Sequence, residues 1–281
     1  MSLKHTSNTV IPGSVVLITG AARGMGELYA RRAVKEGAAA IALWDVDEDR
    51  ATALAAELDG PRTRVRSFAV DISDREAVRE AAQHTVDELG APDVLVNNAG
   101  IVRGALFWEH DPERDIELTL RVNTLAPMWL TREVLPAMLA DRSRPKRILN
   151  IASAAGTLAN PRMSVYAASK WAMIGWSDSL RLELARDGHD HIAVTTFCPS
   201  YISTGMFEGA RGPLLTPIMT PTRAARAAWE GMIAGRPIVT KPWTVKLAMA
   251  LRGILPTRAW DVIADRVFHV YSSMDRFTGR G

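Results

Sequence analysis

The chain has 281 residues, 47% of them hydrophobic and 23% charged, with a net charge of +3. That apolar content excludes disorder along the body of the chain, and a length of roughly 200 to 300 residues suits a single large α/β domain spanning residues 1–281. Its basic residues are spread along the sequence and form no compact block, which speaks against a nucleic-acid partner.

The opening stretch MSLKHTSNTVIPG has neither an apolar core nor a small-residue cleavage site, so the protein is expected in the cytoplasm. The first apolar run, SVVLIT (14–19), reads as a buried strand and is followed by TGAARGMG and a helical pattern over 24–36. In a tight strand-to-helix turn, Gly20, Gly24 and Gly26, with Arg23 and Met25 between them, let backbone N–H groups approach a pyrophosphate. The second strand, 40–44, ends at Asp45, about 20 residues after the turn, where a carboxylate accepts hydrogen bonds from ribose hydroxyls. Asp45 would repel a 2′-phosphate, so NAD is preferred, with NADP as second choice because Arg23 stands beside the same ribose.

A helix over 48–58 leads to RVRSFAV (64–70), where Arg62, Arg64 and Arg66 alternate as on a solvated edge strand. A helix over 74–89, the strand DVLVN (93–97) and a helix over 113–140 that carries Asn123 follow. RILNIA (147–152) ends at Ser153, and the helix over 164–186 contains YAASK, whose spacing of four puts Tyr166 and Lys170 on one face. IAVTTF (192–197) precedes the lone cysteine, Cys198, which reads as a small core residue, and PIVT (237–240) closes the strand series. Strands alternating with helices predict one doubly wound, Rossmann-like α/β sheet of about seven parallel strands, with helices on both faces.

Ser153 follows an apolar strand and Asn123 lies in a helix rich in apolar residues, so both are polar where packing alone would prefer apolar side chains. Hydride exchange with a carbinol carbon needs an acid/base group at its oxygen, and tyrosine's ordinary pKa near 10 is too high unless a neighbouring ammonium favours the phenolate. Lys170 supplies that charge, Ser153 holds the substrate oxygen, and Asn123 anchors a water that relays protons to Lys170. No HExxH pair or cysteine cluster accompanies the six histidines, so no catalytic metal is expected.

With TGAARGMG, NNAG (97–100), Asn123, Ser153 and YAASK in order, the chain resembles the short-chain dehydrogenase/reductase family over residues 12–205. The resemblance implies a tetrad of Asn123, Ser153, Tyr166 and Lys170, and a homodimer or homotetramer. It also implies that Asp71 and Ile72 flank the adenine and that Asn98, Ala99 and Gly100 line the cofactor cleft. Lys170 would hold the nicotinamide ribose, with Pro199, Ile202 and Thr204 near the nicotinamide. Ser200 departs from the glycine common in that loop, which puts its backbone path in question.

Residues 206–281 carry a substrate loop, the last strand and a carboxy-terminal extension. LWDVDED, PSYISTGMFEGAR and KPWTVKLAMALRGILP are similar to the retinol and hydroxysteroid dehydrogenase branch. Met163, Tyr201, Met206 and Phe207, beside Ser153 and Tyr166, would form an apolar wall for a lipid-like alcohol or carbonyl. No run is long enough to span a membrane. Trp243 and its apolar neighbours, flanked by Lys241, Lys246 and Arg252, suggest either a helix packed on the body or on a second subunit, or weak peripheral membrane contact. Two other functions compete: an NADPH-dependent reductase of ketones or acyl-carrier thioesters, and a dinucleotide-binding regulator without turnover.

Overall fold

The computed structural model describes residues 10–214 and 216–279, so the opening stretch up to residue 9 lies outside the described residues. Seven strands form one parallel sheet: β1 (Val15–Thr19), β2 (Ala40–Asp45), β3 (Arg64–Ala69), β4 (Val94–Asn97), β5 (Lys146–Ile151), β6 (Ile192–Pro199) and β7 (Ile238–Lys241). Their order is β3-β2-β1-β4-β5-β6-β7. The expected doubly wound architecture is therefore present, and β3 is an edge strand whose Arg64 and Arg66 face solvent while Val65 is buried.

Every residue of β2, β4 and β5 is buried, the pattern of strands covered on both faces. Alternate side chains supply two separate cores. Val16 and Ile18 of β1 pack toward α1 (Gly24–Lys35), α2 (Glu48–Leu58) and α7 (Pro221–Ile233), where Tyr29 stacks on Trp229 at 5.9 Å. Leu17 points the other way, toward α3 (Arg75–Leu89), α5 (Ala126–Ala140) and α6 (Ser164–Arg186).

One departure from regular geometry matters for the site. The helical residues 112–140 include π-helical turns at Pro112–Glu117 and Arg121–Leu125, separated by the short α4 (Leu118–Leu120) and followed by α5. A π-turn holds an extra residue and re-aims the side chains it contains. Here it turns Asn123 fully inward, with no exposed surface. The carboxy-terminal part adds α8 (Trp243–Ile254) and α9 (Thr257–Val262), followed by residues 270–279, which fold back over the strand ends and bury Met274.

Candidate active site

The chain reverses direction across the sheet between β1, which pairs with β2, and β4 on its other side. Such a switch point leaves a crevice at the carboxyl ends of the strands. A cleft opens there, lined by Gly20, Arg23, Gly24, Met25, Asp45, Asp71, Ile72, Asn98, Ala99, Gly100, Tyr166, Lys170, Pro199, Ile202 and Thr204. Of the positions read from the sequence as cofactor contacts, only Gly26 is absent from its wall.

Gly26 has a different task. A Cβ there would lie 2.0 Å from the Gly20 carbonyl oxygen, so its hydrogen lets α1 start hard against the end of β1. Gly20 has φ +63, and a Cβ on it would meet the Ala99 backbone at 2.9 Å. The turn is also tied laterally. Asn98 Nδ2 donates to the carbonyls of Thr19 and Gly20, both at 3.0 Å, and Thr19 Oγ1 accepts from the N–H groups of Asn98 and Ala99, both at 3.1 Å.

Asp45 is 9% exposed at the end of β2. Its Oδ2 accepts from Ala22 N at 2.9 Å and its Oδ1 from Asp47 N at 3.0 Å, which locks the carboxylate against the glycine turn with one lone pair free on each oxygen. The next residue, Val46, is apolar and 68% exposed. A glycine cradle that no Cβ would tolerate, a fixed carboxylate at the ribose position and an elongated cleft together fit a dinucleotide.

The candidate tetrad gathers at the inner end of the cleft. Asn123 is a clamp: its Nδ2 donates to Ile101 O at 2.8 Å and to Ser169 Oγ at 3.1 Å, and its Oδ1 accepts from Ile101 N at 2.9 Å. Most of its capacity is thus spent on protein, and one Oδ1 lone pair remains for the relay read from the sequence. A Cβ on Gly100 would sit 3.1 Å from that oxygen and 3.5 Å from Lys170 Nζ, so both atoms face the same spot. Lys170 Nζ also donates to Ile151 O at 2.9 Å.

Burial pushes the Tyr166 phenol up to about 12; the hydrogen bond with Ser153 acts against this, and nearby Tyr201 adds to it. Burial likewise brings Lys170 down to about 8, opposed by the neighbouring Cys198. The expectation that Lys170 draws the phenol down is not met by the chain alone, because Nζ stands 5.7 Å from the Tyr166 ring centre and turns toward Ile151 O. Desolvation is the dominant effect on both groups. Cys198 is fully buried behind them, with its thiol raised to about 12 by the same cause. Ser200 is not among the non-glycine residues with positive φ, and its N–H donates to Lys241 O at 2.8 Å, so the loop needs no glycine there.

A second cavity meets the cleft at Ser153, Ser200 and Phe207. Its walls include Met163, Tyr201 and Phe207, as the sequence suggested. Met206 is a correction: it lines the cofactor cleft and not this cavity, because it lies in an irregular loop whose side-chain directions follow no period, whereas Phe207 next to it borders both. Tyr166 also lines the cleft, and Phe207 meets its ring edge-on at 5.9 Å. The sequence reading missed Leu158, Leu214, Val245, Leu251, Trp260 and Phe268, which complete the apolar lining. It also missed the polar spot of Asn160, whose Nδ2 donates to Ser273 Oγ at 2.9 Å and Tyr201 Oη at 3.2 Å. Among the described residues no three His, Cys, Asp or Glu side chains form a group able to hold a metal ion, and no helix is long and apolar enough to cross a membrane.

A dinucleotide cleft that ends on a buried Ser, Tyr and Lys, with an apolar cavity opening at the serine, defines the class of nicotinamide-dependent oxidoreductases that act on CH–OH groups. The family model described as "short chain dehydrogenase" matches residues 14–213, and the chain belongs to that short-chain dehydrogenase/reductase family. "Estradiol 17-beta-dehydrogenase 11" of Rattus norvegicus is 33% identical over 258 residues, 92% of this chain and 85% of that protein. "Epidermal retinol dehydrogenase 2" of Mus musculus is 35% identical over 277 residues, 96% and 87% of the two chains. Among solved structures, a short chain dehydrogenase/reductase from Burkholderia phymatum in complex with NAD aligns with a TM-score of 0.78 at 25% identity, covering 87% of this chain and 94% of that one. A short-chain dehydrogenase from Sphingobium yanoikuyae in complex with NADPH gives 0.71 at 26% identity, covering 90% and 93%.

Proposed function

We propose that this enzyme oxidises a large apolar alcohol, of the sterol or retinoid kind, with NAD. The observation behind it is the apolar cavity, lined by aliphatic and aromatic side chains, that meets the cofactor cleft at Ser153. A pocket with few convergent polar groups selects its ligand by apolar burial. The names of the two relatives, a steroid and a retinol dehydrogenase, agree with that chemistry. NAD is favoured over NADP by the Asp45 carboxylate and by Val46 beside it, a neighbour with no charge to offer a phosphate.

In this reading Gly20, Gly24 and Asp45 hold the dinucleotide, which, when bound, accepts the hydride from the carbinol carbon. Ser153 orients the alcohol oxygen, and Tyr166 Oη takes its proton. Lys170, with a water anchored by Asn123 Oδ1 at the spot left open by Gly100, passes that proton toward solvent.

A test of the substrate class is NADH formation with a panel of alcohols. Sterol-like or long-chain alcohols should exceed 2-propanol in kcat/KM by about 100-fold or more, from roughly 3 kcal/mol of extra apolar burial. Equal rates with small polar alcohols would sink the proposal.

The pH profile follows from the raised phenol. With Tyr166 pushed up to about 12, its proton stays on at neutral pH, and the phenolate fraction grows tenfold per unit below the pKa. Alcohol oxidation should therefore speed up about tenfold per unit from roughly pH 6 to 8, while ketone reduction, which needs the phenol, stays flat. A flat oxidation profile would assign the base to another group.

The proposal extends to a homodimer or homotetramer, supported by Trp171 (43% exposed) and Leu182 (55% exposed) on the outer face of α6. A monomer by light scattering would remove it. The lone buried thiol Cys198 suits a cytoplasmic location, which fractionation of the source cells would test.

A further inference from the structure

The outer face of α8 is the reverse of an ordinary surface helix. Trp243, Leu247, Ala250 and Ile254 fall within about 60° of one another around the helix axis and all face solvent. The three large ones are 68%, 41% and 81% exposed, whereas Val245 on the inner side is 4% exposed. The stripe continues into the substrate cavity. Leu214, Trp243 and Leu247 are at once exposed and part of the cavity lining, so they form the rim of its mouth.

The charge beside the stripe has one sign. Lys246 within α8, and Lys241 and Arg258 just before and after it in the chain, are exposed, and no acidic residue occurs from Val239 to Trp260. Arg252 is engaged inward, with its guanidinium donating to Thr157 O at 2.8 Å and lying 4.8 Å from the Trp171 ring centre.

We infer that α8 seats the enzyme on an anionic lipid bilayer, with the mouth of the apolar cavity turned to the acyl boundary so that substrate enters without crossing water. A solvent-facing apolar stripe flanked by lysine and arginine is the pattern of a helix lying in a membrane interface. A second copy of the chain fits less well. An isologous contact would bring Lys246 and its neighbours against themselves, like charge to like charge, with no carboxylate in the stretch to answer them. Only the entry of substrate rests on the function proposed above; seating on lipid does not.

The test is co-sedimentation of the full chain with vesicles of equal phosphatidylglycerol and phosphatidylcholine, against phosphatidylcholine alone. Binding to the anionic vesicles should be at least about tenfold stronger and should be released by about 0.5 M salt. Lys246→Glu removes one positive charge and adds a negative one, for a loss on the order of 25-fold, and Ile254→Ser should weaken binding about tenfold. Neither residue lines the cleft or the cavity, so both variants should keep wild-type turnover of a water-soluble alcohol, which shows that they fold. Protein that stays in the supernatant, or variants that sediment like the wild type, would overturn the inference. So would light scattering in which Ile254→Ser splits an oligomer, because α8 would then be a subunit interface. Vesicle binding by an enzyme inactive toward apolar alcohols would instead overturn the substrate reading and uphold this one.

Discussion

Tyr166→Phe is expected to lower kcat by about a thousandfold while NADH binds within about twofold of wild type, because positioned acid/base groups contribute roughly 10²–10⁴ in rate. The substitution removes one hydroxyl and leaves the ring that packs edge-on against Phe207 at 5.9 Å. It also leaves untouched the parts of the cleft that cradle a dinucleotide, which are Gly20, Gly24 and Asp45. Burial has already removed that hydroxyl from water, and its only side-chain hydrogen bond of consequence is to Ser153, so the cost to folding should be small. Stopped turnover with intact binding separates the enzyme from a dinucleotide-binding regulator, which would lose nothing measurable. Retained turnover would transfer the acid/base role elsewhere, and among the described residues no other titratable side chain lines that end of the cleft except Lys170. Lys170→Met is the companion measurement, since its ammonium, brought down to about 8 by burial, is the remaining titratable group there among the described residues.

Much of this site was legible because its chemistry breaks local patterns. Asp45 ends an otherwise apolar strand, Ser153 follows another, and Tyr166 and Lys170 sit one turn apart on a helix whose inner face is otherwise small or aliphatic. Parallel strands buried on both faces are continuous apolar runs, so the sheet could be read almost residue by residue. The remainder depended on information that no local period carries. An extra residue per π-turn sets the inward aim of Asn123, and a 3.6-residue period does not reveal such a turn. Met206 and Phe207 lie in an irregular loop, where neither the helical nor the strand period assigns a side; Met206 lines only the cofactor cleft, while Phe207 lines both cavities.

The roof of the substrate cavity was hidden for a related reason. On α8 both the inner residues, Val245 and Ala248, and the outer ones, Trp243, Leu247 and Ile254, are apolar, so amphipathic patterning cannot say which face is covered. Asn160 and Ser273 meet across 113 residues of sequence, and Thr19 binds Asn98 across 79; such pairs exist only once the chain has folded.

Asp45→Ala should shift the ratio of NADH to NADPH affinity by about two orders of magnitude toward NADPH. Two effects add. The free lone pairs of the carboxylate no longer accept from ribose hydroxyls, which costs NADH roughly 2 kcal/mol, or about 30-fold, at the rate typical of hydrogen bonds to charged groups. The like charge that opposes a 2′-phosphate also disappears, leaving Arg23 as the charged side chain on that wall of the cleft, for a gain on the order of tenfold with NADPH. Stability should fall as well, by about 1–3 kcal/mol, because Ala22 N and Asp47 N lose the oxygens that accept from them at 2.9 and 3.0 Å. Asp45→Asn separates the two consequences: its amide keeps one acceptor oxygen and no charge, so part of the stability returns while the repulsion stays absent. Fluorescence titration of wild type and both variants with each nucleotide, read beside their melting temperatures, decides the matter. An unchanged ratio in Asp45→Ala, or a wild type that already prefers NADPH, would mean that Arg23 and not the carboxylate reads the ribose, and would turn the physiological direction toward carbonyl reduction.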